Sequence, residues 1–161
     1  MTLPTVTRFE KRDSFLLAGL TKRFTPDTMS NIAGVWQAFV PHIGKVRDQA
    51  GKVTWGVISN FTNVEAFDYM AGAEISPSAG LPSNLDVIIV PALTYAVFDH
   101  MGHVSRLKQT IDAIWRDWQP NFPHSIKSPR PGIPSLLERY HESFRHKTGD
   151  GDVEVWVPIQ P

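Results

Sequence analysis

Cysteine is missing from all 161 residues, which excludes disulfides and thiolate chemistry. Net charge is missing too, since 16 basic residues face 16 acidic ones. A domain that grips nucleic acid on its own carries a basic excess, so direct nucleic-acid binding is not expected. No apolar run approaches the ~20 residues that cross a bilayer, so no membrane partner is expected either. The opening MTLPTVTRFEKRDS lacks the charged-then-apolar order of a signal peptide. Together these features set the expected location as the cytoplasm. Glycine-rich phosphate loops of the GxGxxG and GxxxxGK[ST] kinds are absent, and so is a nucleophile elbow. Six histidines are present, but their spacing does not suit a metal. His100 and His103 straddle Gly102, and His146 lies five residues after His141, off the helical face that HExxH needs. Neither metal nor cofactor is expected.

What is there is an ordered globule, 42% hydrophobic and 11% aromatic, of a length that suits one domain, residues 1–161. Its most organised stretch runs from Leu93 to Pro120. Tyr95 and Val97 sit in a strand-like apolar run that Gly102 ends. Val104, Leu107, Ile111, Ile114, Trp115 and Trp118 then recur at three or four, which predicts an amphipathic helix over Val104–Trp118. Pro120 should stop it.

The first half has the same order. Val6–Leu20 reads as extended, Thr28 as a helix cap whose hydroxyl takes an orphan N–H, and Met29–Val40 as a helix closed by Pro41. A shift of 79 lays Trp36 on Trp115, Phe39 on Trp118, Val35 on Ile114 and Leu17 on Ala96. We read this as an internal duplication, approximately 5–75 and 85–160. Each helix precedes two extended segments, Val53–Phe61 with Ala66–Ile75 and Ser135–His141 with Asp152–Pro158. In the last, Val153, Val155 and Val157 share one face while Glu154 and Trp156 take the other. Ser76–Asn84 reads as a connector and Lys127–Pro134 as a loop. The expected fold is α+β, two β-α-β-β units about a pseudo-twofold. Both helices cover one side of an antiparallel sheet, the other side is left concave, and a ligand cleft lies between the halves.

The segments Tyr95–Gly102 (YAVFDHMG), Ala113–Pro120 (AIWRDWQP), Leu136–His141 (LLERYH) and Val153–Ile159 (VEVWVPI) resemble the GyrI-like small-molecule-binding family, as does Trp55–Phe61 (WGVISNF). That family includes effector-binding domains of AraC-type and MerR-type regulators. The resemblance implies an aromatic pocket around a buried glutamate on a Phe-Glu-x-Tyr-like strand. Here that strand reads Leu137-Glu138-Arg139-Tyr140, with Leu137 in place of the aromatic. Glu138 is therefore the expected anion, because a carboxylate on an apolar strand is costly to bury without a cation or donors. Trp36, Trp55, Trp115 and Trp156 are the candidate aromatic walls, and Tyr69 and Tyr140 the candidate hydroxyls, with Glu154 held in reserve for Glu138. Aromatic faces draw organic cations, so the expected partner is a lipophilic, cationic or aromatic small molecule.

The duplication leaves no segment for a helix-turn-helix, so the expected role is a stand-alone binding or sequestration module. A separate protein partner would then be needed for any regulatory output. Two alternatives come with the resemblance. One is a hydrolase of cyclopropane-type genotoxins with Glu138 as acid or base, and the other is a protein-interaction module of the gyrase-inhibitor type.

Overall fold

Alternating apolar positions fold into eight strands: β1 (Arg8–Arg12), β2 (Phe15–Phe24), β3 (Gln49–Ser59), β4 (Phe67–Ile75), β5 (Asp86–Val90), β6 (Leu93–His100), β7 (Leu136–Tyr140) and β8 (Val153–Ile159). The computed structural model describes residues 4–62, 64–77, 82, 84–126 and 130–160. It joins the strands into one antiparallel sheet in the order β1-β6-β8-β7-β3-β4-β2-β5. Helix α1 (Ile32–Phe39) links β2 to β3, and α2 (Leu107–Ala113) links β6 to β7. Among the described residues no helix is long and apolar enough to cross a membrane. Part of the expected connector, 78–81 and 83, and part of the expected loop, 127–129, lie outside the described residues.

Both expected helices exist, but neither is a plain α-helix. Three-residue 3₁₀ turns open and close each run, so the helical segments extend from Met29 to His42 and from Val104 to Asn121. Pro41 and Pro120 sit in the closing turns, near their starts, where each lacks the N–H that would carry the helical ladder further. Ile114–Trp118 is a π turn, which periodicity did not foretell. Thr28 does not cap forward. Its Oγ1 accepts from the Thr25 amide at 2.9 Å. The Val6–Leu20 segment is two strands broken at Asp13 and Ser14, and β5 was not expected at all.

The register tests the duplication. β1 begins at Arg8 and β5 at Asp86, an offset of 78, and both are five residues long. β1 pairs with β6 through Arg8↔Val97, and β5 pairs with β2 through Asp86↔Gly19, so the same offset carries one ladder onto the other. Each half thus lends its first strand to the other half. The strand equivalent of Leu17 is Tyr95, not Ala96 as the shift of 79 had it. Leu17 and Tyr95 share one core, whereas Ala96 lies on the opposite face. One residue of slip reverses every side chain in a strand.

The sheet is strongly curled, and two short links force it. β1 and β2 stand six strands apart, which a flat sheet would make ~29 Å at ~4.8 Å a step. Asp13 and Ser14 alone connect them, a reach of at most ~11 Å. Pro91 and Ala92 make the same demand between β5 and β6. The curl buries the face that carries Phe15, Leu17, Trp55, Val57, Tyr95, Val97, Leu137 and Trp156 without any helix upon it. The opposite face carries α1 and α2 through Val35, Phe39, Leu107, Ile111 and Ile114. The concave side expected to be open is therefore filled.

Edge strand β1 is fastened to the sheet by charge as well as by its ladder. Arg8 Nη1 donates to Glu154 Oε2 at 2.7 Å, and Arg8 Nη2 to Glu154 Oε1 at 3.2 Å. Burial alone would raise the Glu154 carboxyl, but Arg8 and the Trp156 indole N–H hold it down to about 2. A carboxyl held below its unfolded value stabilises the fold above the ordinary carboxylate range, and that contribution fades as pH falls toward about 2. Glu154→Gln should cost about 1.5–3 kcal/mol at neutral pH. Urea denaturation of both proteins should show the gap closing as the pH drops into that acid window.

Candidate functional site

A cavity of about 1390 Å³ opens between the helices and the sheet face they cover. Met29, Ile32 and Trp36 come to it from the first helical segment, and Leu107, Ile111 and Trp115 from the second. Ile58, Tyr69, Glu138 and Tyr140 form its floor on β3, β4 and β7. The cavity is therefore on the helical side.

Glu138 is 5% exposed. Its Oε1 accepts from the Tyr69 hydroxyl at 2.5 Å and from the Tyr140 hydroxyl at 2.7 Å. Tyr69 Oη in turn accepts from Trp36 Nε1 at 2.8 Å. No described residue donates to Oε2, and no described cation pairs with this carboxylate. Burial raises the Glu138 carboxyl above its usual value, while the two hydroxyls pull it partway back. Burial and the neighbouring carboxylate push both phenols well above theirs. They therefore stay protonated and act as donors. His146 stacks on Trp36 at 4.8 Å, and burial lowers its basicity, so at neutral pH it is an uncharged wall.

Gly56 makes this cluster possible. A Cβ there would overlap Tyr69 Oη and Glu138 Oε1. Register explains its place. Leu17 pairs with Glu74 and its counterpart Tyr95 with Pro158, so β4 maps onto β8 with Ala71 on Val155. Gly56 pairs with Ala71, and Glu138 with Val155. Gly56 and Glu138 are therefore counterparts, and they are also each other's partners across β3 and β7. The pseudo-twofold passes between them, and one side chain fills a space that two could not share.

Of the residues expected from sequence, the structure brings together Glu138, Tyr140, Trp36, Tyr69 and Trp115 around the cavity. Trp55 and Trp156 are not there, which corrects the expectation. They meet edge to face at 5.3 Å within the curl, on the other side of the sheet. Arg12 and Arg139 already lie over Trp55, and Arg8 over Trp156, at 5.4 to 5.8 Å. Glu154 is likewise on that side and neutralised by Arg8, so it is no stand-in for Glu138. The expectation passed over Phe61, Phe67, Phe144 and His146, which also line the cavity. Phe61 ends the WGVISNF segment and was within reach, while His146 depends on a turn that no periodicity announces. Among the described residues no group of three or more His, Asp or Glu is gathered as for a metal.

Comparison with known proteins gives the family and the fold. The family described as "GyrI-like small molecule binding domain" matches residues 5–160. The transcriptional regulator BrlR of Pseudomonas aeruginosa is 27% identical over 161 aligned residues, covering 94% of this chain and 54% of BrlR. The chain thus spans about half the length of that relative. Among solved structures, SAV2435 bound to tetraphenylphosphonium superposes with a TM-score of 0.74 at 19% identity, covering 99% of this chain and 94% of that one. An integron cassette protein from the mobile metagenome of Vibrio cholerae gives 0.63 at 21% identity, covering 95% of each chain. These structures share the fold.

Two outcomes follow from the geometry alone. A carboxyl raised by folding makes the protein less stable as pH climbs from its unfolded value through its folded one. Glu138→Gln should therefore raise the unliganded melting temperature at about pH 8 and lose that advantage by about pH 4. Gly56→Ala forces Tyr69 and Glu138 apart and should cost about 1–3 kcal/mol in urea denaturation, as overpacking does.

Proposed function

The chain belongs to the GyrI-like small-molecule-binding family, and we propose that its ligand is a lipophilic organic cation held against Glu138. The observation that carries this reading is a buried carboxylate with two hydroxyl donors and no described cation partner, facing a large apolar cavity. Burying an unpaired charge is costly, and a guest cation would supply the missing partner. Trp36 and the two tyrosines add aromatic faces, worth ~0.5–2 kcal/mol each toward a desolvated cation. The tetraphenylphosphonium bound by a structural neighbour is a guest of this class.

On this reading the repeats 5–75 and 85–160 form one effector-binding unit. Its small-molecule partner is recognised by charge and lipophilicity together, and regulatory output, as in the regulator BrlR, would pass to whatever the unit is coupled with. Proton and ligand compete for one carboxylate. Since burial holds a proton on Glu138 more firmly than usual, cation affinity should weaken as pH falls through that raised value.

Tetraphenylphosphonium and tetraphenylborate have nearly the same shape and opposite charge. Calorimetric titration should detect the phosphonium and not the borate. Glu138→Gln should lose ~3–5 kcal/mol of phosphonium binding, which is ~10²–10³-fold or more. Equal binding of the two ions, or a loss under about threefold in the variant, would remove Glu138 from the site.

A further inference from the structure

We propose that the cavity takes an elongated lipophilic cation, its charge at Glu138 and a second, uncharged aryl group in a lobe formed by Trp115, Phe61 and Phe67. This rests on the cation reading and adds a subsite to it. At about 1390 Å³ the cavity exceeds the ~300–1,000 Å³ that drug-sized ligands ordinarily fill, so a compact cation at Glu138 leaves space unused.

The buried carboxylate and its hydroxyl donors stand on one side of that space. The pseudo-twofold carries Tyr140 onto Ile58 and Tyr69 onto Val153, so the donors beside Glu138 have only apolar counterparts. What the other side offers is aromatic. Phe61 meets Trp115 edge to face at 5.7 Å and lies 5.1 Å from Phe67. Phe61 and Trp115 are only partly buried, and both line the cavity. Glu65, Lys108, Asp112 and Arg130 also line the cavity, two of each sign, with Lys108 and Asp112 paired at 2.8 Å, so beyond Glu138 the lining sets no net demand for a charged guest. Trp115 lies within the π turn that follows α2, and π turns concentrate at functional sites.

The test compares methyltriphenylphosphonium with 6-phenylhexyltriphenylphosphonium by calorimetric titration. Wild type should prefer the long probe by roughly tenfold or more, the worth of burying one further ring. Trp115→Ala should collapse that preference to within about threefold. Phe61→Leu, which keeps apolar bulk but removes the ring edge, should reduce it part of the way. A thermal melt of each variant shows that it is folded before its preference is read. A preference that survives both substitutions overturns the second subsite while leaving Glu138 as the cation site. Failure of wild type to bind either probe overturns the cation reading itself.

Discussion

A carboxylate inside an apolar wall is the constraint on which the rest of this structure turns. Two glutamates are equally buried, Glu138 and Glu154 at 5% exposure each, so burial alone does not tell them apart. Their partners do. Glu154 meets Arg8, with Arg139 and His141 within 3.4 Å, and its charge is balanced within the chain. Glu138 meets only neutral hydroxyls. Two phenol donors stabilise an anion without cancelling its charge, which leaves an electrostatic deficit aimed at the cavity. One glutamate is paired within the chain, and the other is left without a cation among the described residues.

The duplicated architecture gives that deficit its position. A strand pair on a pseudo-twofold brings a residue face to face with its own counterpart, and here those counterparts are Glu138 and Gly56. Two carboxylates at that point would repel, and any Cβ opposite Glu138 would collide with it and with Tyr69. The symmetric backbone therefore requires an asymmetric sequence at its centre. The asymmetry spreads outward, because the tyrosines that support Glu138 are answered by Ile58 and Val153. A cavity enclosed by two similar halves thus has its buried carboxylate and hydroxyl donors on one side only.

Much of this was legible in the residues. Both helical stripes and the strand–helix order of each half could be read from spacing, and Glu138 as a buried anion came from the family resemblance of the LLERYH segment. Side-chain parity was the weak point. Trp55 and Trp156 sit in the right segments but on the wrong face, and the alternation already separated Trp156 from Val153, Val155 and Val157. Which of those two faces receives the helices is a tertiary fact. So is the exchange of β1 and β5 between halves, which turns on two links of two residues each. The offset of 79 carries the closing turn Val40–His42 onto Gln119–Asn121, but the helix starts lie 75 apart and the first strands 78, and a slip of one residue is enough to reverse a strand's face.

The two walls of the cavity are built to different standards of rigidity. Behind the floor strands stands a second core, with Trp55, Tyr95, Leu137 and Trp156 locked inside the curl and arginines over its tryptophans. Moving Glu138 or Tyr69 would mean breaking ladder bonds on both flanks of β7 or β4. The roof is made of two α-helices of eight and seven residues, extended by 3₁₀ and π turns. Helices so short have little stability of their own and depend on what they pack against. The proposed site thus joins a fixed floor, which sets where the Glu138 charge lies, to a roof whose short helices hold their place only by packing.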